Sequence, residues 1–374
     1  MEKVQMRNLV VLIPEGFYVN YFVYSTGDLQ PPADESYQLQ RKGRIRSRDS
    51  SASSDDIRSL MDDYRPKTVA IRVLYGGERF RKPALYDRSI LPALEELVPD
   101  SPLHIPPAIR LIKTLERAVP VPDMLLLFET AFFVDLPIQE RTYALDIESA
   151  EISDGALDGI RRFGYHGLYH EAAYRRISRQ YKEAARVISI CLEPVPEVVG
   201  IYDGRPVYVS GGSTPMEGIP GNTTCGEIDP GIVLLIEEKK KLGPETINEM
   251  LTRNSGLTAV AGQQVTIEDI FEDEEKYKAA RDLLEYRVLL SCGAAIALMG
   301  GYDAMVFSGK YGHAAEKLSK WLTARLAGST RHKARQGTRT AIVGEESKPV
   351  LYVRDPLDRI IAADYCRLAE GANV

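Results

Sequence analysis

Cysteine is scarce in this chain of 374 residues: there are four, at Cys191, Cys225, Cys292 and Cys366, far apart and with no CxxC pair. That spacing gives no disulfide framework and predicts free, partly buried thiols in a reducing compartment. A basic excess is also lacking. The formal net charge is −6, which speaks against a broad nucleic-acid surface, because such a surface needs a positive field. No apolar run reaches the ~18 residues of a membrane helix. The NLVVLI stretch near the start is too short for a secretory core followed by a cleavage site. A cytoplasmic protein is therefore expected, with no membrane partner. What is present is ordinary for a globular chain: 44% hydrophobic and 27% charged residues, enough for a sizeable core. The length suggests two domains.

Strand and helix signals alternate along the chain. Asn8–Ile13 reads as a buried strand, joined through Pro14-Glu15-Gly16 to a second strand at Phe17–Tyr24, which predicts an opening hairpin. Asp28–Ser54 reads as the least ordered segment, and its basic run RKGRIRSR as a solvated hairpin or loop. Ser53 or Ser54 is expected to cap a helix over Ile57–Tyr64. Thr68–Leu74 and Met124–Phe128 read as strands, with helices expected over Leu91–Leu97 and Ala108–Ala118. The second half repeats this plan. A strand at Val187–Leu192 and a hairpin through VVGIYDG and RPVYVS come first. Helices follow over Ile232–Leu242, Pro244–Asn254 and Leu283–Met299, then a strand at Asp303–Phe307 and a glycine turn over Gly309–Gly312. A helix over Ala314–Leu326 carries Trp321, the only tryptophan. A strand at Val350–Val353 and a helix over Leu357–Leu368 close the chain. Alternating strands and helices point to an α/β architecture, and two similar halves point to a duplicated, two-lobed fold.

Several glycine- or proline-punctuated clusters hold reactive side chains. RRFGYHGLYH (Arg161–His170) reads as a helix end, a tight glycine turn and a histidine, His166, that a ligand can approach closely. An imidazole there can stabilise developing negative charge, or it can simply cap a loop. Arg72 lies near a strand end, where α/β sheets place ligands; its guanidinium suits a carboxylate or phosphate, and equally a surface ion pair. His104, just before Pro106-Pro107, can polarise a ligand or be structural. Glu129, at another strand end, can hold a metal, accept a proton, or cap and pair locally.

The order and spacing of these clusters resemble the acetate kinase (acetokinase) family from about Thr68 to Met305. The likeness is strongest in RRFGYHGLYH, TPMEG, CGEIDPGIV and NSGLTAVAG. The resemblance implies an α/β, two-domain actin/sugar-kinase/Hsp70-like fold, a duplicated ribonuclease-H-like plan. It places an N-terminal domain over 1–145, a C-terminal domain over 146–355, and a final helix (356–372) returning to the first domain. It implies transfer of the γ-phosphoryl of ATP, with Mg2+, to a short-chain carboxylate to give an acyl phosphate. It assigns Arg72 to the substrate carboxylate, His104 and His166 to the active site, with His166 on the transferring phosphoryl, and Glu129 to the catalytic and metal-supporting carboxylate. Leu74, Leu103, Tyr165 and Pro215 fall where the family lines a small apolar pocket. On the phosphate side the chain departs from the family. The first phosphate loop keeps only Gly16, the second reads Leu192-Glu193-Pro194-Val195, and the family's second arginine falls at Thr224. The adenosine contacts fall near Thr266 and Glu268, and a C-terminal metal-supporting glutamate near Leu357 or Asp358. Lys310, beside Gly312, is the expected substitute point charge for phosphate. The alternative expectation is a non-catalytic protein of this fold that binds a small carboxylate or acyl phosphate as a sensor or partner subunit. Family members are commonly homodimers through the second domain, and the same is expected here.

Overall fold

A computed structural model describes residues 7–15, 18–26, 37–46, 52–101, 104–118, 120–145, 160–193, 195–326, 334–335, 340–343 and 348–371. By contacts the chain divides into two compact units. One runs to Val134 and resumes at Pro356; the other comprises Asp135–Leu145 and Ile160–Asp355.

Unit one is built on a six-stranded sheet. Its strands are β1 (Arg7–Glu15), β2 (Tyr18–Thr26), β3 (Tyr37–Arg46), β4 (Thr68–Val73), β5 (Ala84–Leu85) and β6 (Asp123–Phe128), in the order β3-β2-β1-β4-β6-β5. β1, β2 and β3 form an antiparallel meander; β4 runs parallel to β1, and β6 parallel to β4. Val10, Val11, Leu12, Val69, Ala70, Ile71, Leu126 and Leu127 are wholly buried. This is why β1, β4 and β6 read as near-continuous apolar runs: parallel strands in mid-sheet are covered on both faces. Helices α1 (Ala52–Tyr64), α2 (Ile90–Glu96) and α3 (Ile105–Leu115) belong to this unit. The C-terminal helix Leu357–Gly371 packs on β1 and β4, and its Asp358 accepts the Tyr24 hydroxyl.

Of the two readings of the basic run, the hairpin holds: residues 37–46 form β3, an edge strand antiparallel to β2 whose Arg41, Lys42, Arg44 and Arg46 are exposed. One local expectation is corrected here. Ser53 and Ser54 do not precede their helix but lie inside it, since α1 starts at Ala52.

Unit two repeats the topology. Its strands are β7 (Arg186–Cys191), β8 (Glu197–Tyr202), β9 (Arg205–Val209), β10 (Ala304–Ser308), β11 (Ala334–Arg335), β12 (Thr340–Val343) and β13 (Val350–Val353). They form a seven-stranded sheet ordered β11-β12-β13-β10-β7-β8-β9. Again three antiparallel strands are followed by a parallel pair, β10 on β7 and β13 on β10. The succession β9-β8-β7-β10-β13 therefore matches β3-β2-β1-β4-β6, which is the duplicated plan implied by the resemblance. Eight helices are described in this unit: α4 (Ile138–Arg141), α5 (Gly167–Gln180), α6 (Pro230–Lys240), α7 (Pro244–Arg253), α8 (Gly256–Ala261), α9 (Ile267–Glu272), α10 (Lys278–Met299) and α11 (Gly312–Leu326). α10 packs across β8 and β9. Asp135–Leu145 joins this unit through its side chains: Glu140 accepts the Val209 amide at 3.0 Å and the Tyr143 hydroxyl accepts the Ser213 amide at 2.8 Å. None of the four cysteines is in a disulfide, and no helix among the described residues is long and apolar enough to cross a membrane.

Candidate active site

In unit one, the ends of β4 and β6 lie side by side, with Arg72 opposite Leu127 and Val73 opposite Phe128. β6 runs directly into a tight 3₁₀ turn that begins at Glu129. Glu129 is wholly buried, while the Arg72 side chain keeps 13% exposure. Arg72 Nε donates to Glu129 Oε1 at 2.6 Å. A carboxylate removed from water needs such a partner to stay ionised. The Gly76 amide donates to the Thr130 hydroxyl at 2.9 Å, tying the loop after β4 to the turn after β6. A Cβ at Gly76 would stand 2.8 Å from the Phe128 ring, so this approach needs glycine. His104 caps α3, whose first turn carries the two prolines. Burial, and then the positive charge of Arg72, lower its pKa to about 4. At neutral pH His104 is therefore an uncharged imidazole with a single N–H donor. Leu74 is half-buried one residue beyond β4. Gly16 and Leu103 lie outside the described residues.

In unit two residues 160–166 are irregular rather than the helix end that the sequence suggests, and they lead into α5, with His166 as its N-cap. The backbone is held by other partners. Phe163 N donates to the Gly212 carbonyl at 3.1 Å, and Arg162 Nη1 to the Gly211 carbonyl at 3.0 Å. Two amides at the start of α5 turn onto Glu197, at the head of β8: Tyr165 N to Oε2 at 2.8 Å and His166 N to Oε1 at 3.1 Å. His166 Nδ1 stands 3.6 Å from Oε1, an ion-pair distance rather than a hydrogen bond. His170 Nε2 is 3.1 Å from Oε1, and its Nδ1 is 2.8 Å from the Ser189 hydroxyl. Burial pushes the Glu197 carboxyl toward its neutral form, but the two histidines override this and hold it well below the usual carboxylate range. Ser189, His170 and Glu197 have the connectivity of a hydrolytic triad. Ser189 is wholly buried in β7, however, so no substrate reaches it.

Tyr165 is buried and donates its hydroxyl to the Ser213 carbonyl, two residues before the half-buried Pro215. The structure thus brings these two expected pocket residues to neighbouring loops. Lys310, expected to meet phosphate, is 3.0 Å from Glu193 Oε2, a side chain only 8% exposed. The Tyr169 hydroxyl, from the first turn of α5, donates to the other Glu193 oxygen at 2.8 Å. At the start of α11, two residues past Gly312, the Ala314 amide donates to Glu268 Oε2 at 3.4 Å. Thr266 forms a capping box with Asp269 on α9, which is a structural duty. Among the described residues, no group of three acidic, histidine or cysteine side chains could hold a metal. Glu129, moreover, is already bonded to Arg72.

Sequence reasoning passed over Glu197 and His170. His170 carried a signal, standing four residues after His166 and so on the same helix face. Glu197 carried none, since PEVVG reads as an ordinary strand start.

Comparisons with known proteins bear on the family and the fold. The model of the acetokinase family matches residues 53–362. An acetate kinase from Clostridium botulinum is 32% identical over 252 residues, covering 65% of this chain and 62% of that protein; the matched part thus spans somewhat less than two thirds of this relative. Among solved structures, Porphyromonas gingivalis acetate kinase is similar with a TM-score of 0.76 at 23% identity, over 97% of this chain and 100% of that one. A propionate kinase from Francisella tularensis reaches 0.80 at 20% identity, over 96% and 99%. These likenesses show the two-domain actin/sugar-kinase/Hsp70-like fold. With the family's model matched across both units and its fold reproduced over nearly the whole length, this chain belongs to the acetokinase family.

Proposed function

We propose that this protein transfers a phosphoryl group from ATP to the carboxylate of a short-chain acid, releasing ADP and an acyl phosphate. The observation that carries the reading is the Arg72–Glu129 pair at the ends of β4 and β6, with the buried His104 at the head of α3 within reach of the Arg72 charge, in a chain of this family. A guanidinium fork matches a carboxylate bidentately, and buried Glu129 fixes its orientation. A neutral His104 adds an N–H without adding charge. In the reaction a carboxylate oxygen attacks the γ-phosphorus while the bond to the bridging β–γ oxygen breaks. The transition state spreads charge over the phosphoryl oxygens, so positioning and charge stabilisation do most of the catalysis. His166 is the group assigned to those oxygens. Magnesium would supply further positive charge at the nucleotide phosphates. Among the described residues no three acidic, histidine or cysteine side chains gather to hold it; magnesium is commonly held by one or two carboxylates together with the nucleotide phosphates.

The test is the protein with ATP, Mg2+, hydroxylamine and a panel of short carboxylates. Acyl hydroxamate is expected, with Arg72→Ala lowering its rate by about two to three decades. No hydroxamate together with no shift of the melting temperature by ATP would overturn the reading.

A second reading is favoured by the Lys310–Glu193 and Ala314–Glu268 contacts: carboxylates of the chain itself occupy groups that would otherwise favour an anion. On that reading the protein binds a small carboxylate or acyl phosphate without turnover. A thermal shift with acetyl phosphate or propionate, in the absence of hydroxamate formation, identifies it. We also infer that two copies pair through unit two. α6 buries none of its residues, and its Ile232, Leu234 and Leu235 are exposed.

A further inference from the structure

The Glu197 side chain is 4% exposed; at the start of α5 it accepts two backbone amides, lies 3.1 Å from His170 Nε2 and stands 3.6 Å from His166 Nδ1. The loop after β9 closes over it: a Cβ at Gly211 would stand 2.9 Å from Glu197 Oε2. This is a costly place for a negative charge. The backbone amides alone would satisfy an amide oxygen just as well, so they do not require a carboxylate. The imidazoles do. The Ser189 hydroxyl can serve His170 Nδ1 as a donor, which leaves His170 neutral with its one ring proton directed at Glu197. The group left for the carboxylate's charge is then His166, whose Nδ1 lies 3.6 Å away and whose side chain keeps 13% exposure.

We infer that Glu197 is the positioning residue of His166: it keeps the imidazole doubly protonated, with Nδ1–H directed at the carboxylate and the direction of Nε2–H set by that contact. The titratable group that the structure shows facing this pair is His170 from α5, 3.1 Å from the same Glu197 oxygen. A ring fixed on its Nδ1 side has its remaining N–H direction set in advance, as electrostatic catalysis needs. The same carboxylate bonds the His166 backbone, so ring and main chain are placed by one group. For its kinetic consequence the inference rests on the phosphotransferase reading; for its structural consequence it does not.

The experiment compares the full-length protein, labelled with 15N-histidine, with Glu197→Gln at neutral pH; His166→Gln assigns the resonance. In the parent protein both ring nitrogens of His166 are expected at protonated-imidazolium shifts. In Glu197→Gln they are expected to move to neutral values. Hydroxamate kinetics should show kcat lowered by about tenfold to a hundredfold, with the KM for carboxylate changed far less. Glu197→Asp should regain part of the rate. If Glu197→Gln does not fold, Glu197→Asp carries the nitrogen comparison, with a partial shift expected. Unchanged His166 spectra in the folded variant overturn the inference. If the parent protein forms no hydroxamate, the phosphotransferase reading fails, and the nitrogen spectra still decide the role of Glu197.

Discussion

His104 and Lys310 show how much a neighbour decides what a side chain can do. Burial and Arg72 lower the pKa of His104 from 6.5 to about 4, so the folded state binds its proton more weakly than the unfolded chain does. Below pH 6.5 the unfolded state therefore takes up the extra proton, and stability falls as pH drops from about 6.5 to about 4. Urea unfolding at several pH values should show this slope, and His104→Gln should flatten that part of it. Lys310 is 57% exposed, so its bond to Glu193 is screened and adds little to stability, under about 1 kcal/mol. Its effect is expected instead on binding. In Glu193→Gln, inorganic phosphate or ADP should bind several-fold more tightly by calorimetry, with the melting temperature almost unchanged. Binding equal to that of the parent protein would show that Lys310 is not held back by Glu193.

Elements that read clearly from the sequence are those buried on both faces. β1, β4, β6, β7 and β10 were legible because their apolar runs leave no other reading. β3 was not, because four basic residues on an exposed edge strand hide its alternation. α8 and α9, six residues each, are too short for a helical period to declare itself. Among the candidate residues, Arg72, His104, Glu129 and His166 stood out from local motifs. Their partners were not, because the link between α5 and β8 exists only after both pack. The turns between these elements also set limits. At Gly218, in TPMEG, φ is +107° and a Cβ would stand 2.4 Å from the Ser210 carbonyl oxygen. Gly293, by contrast, lies within α10 with nothing near its Cβ position. Gly218→Ala should cost about 2 kcal/mol or more. Gly293→Ala should add about 0.5–1 kcal/mol, since alanine suits a helix interior better. Chemical unfolding of the two variants tests this opposition.

For the whole molecule, the repeated strand order means that each unit encloses a core around its own sheet. Between copies, the exposed face of α6 predicts a dimer. Light scattering after gel filtration should give twice the monomer mass, and Leu234→Asp, at a position 64% exposed, should shift the population to monomer without unfolding it. An unchanged dimer in that variant would move the interface elsewhere. The outermost strand of unit one has a different consequence. Among the described residues β3 is an edge of its sheet, and an edge strand is the template on which fibrils nucleate. Its row of like charges makes a second copy of the same strand repel rather than zip, so the residues that obscured this strand in the sequence also guard the protein against amyloid.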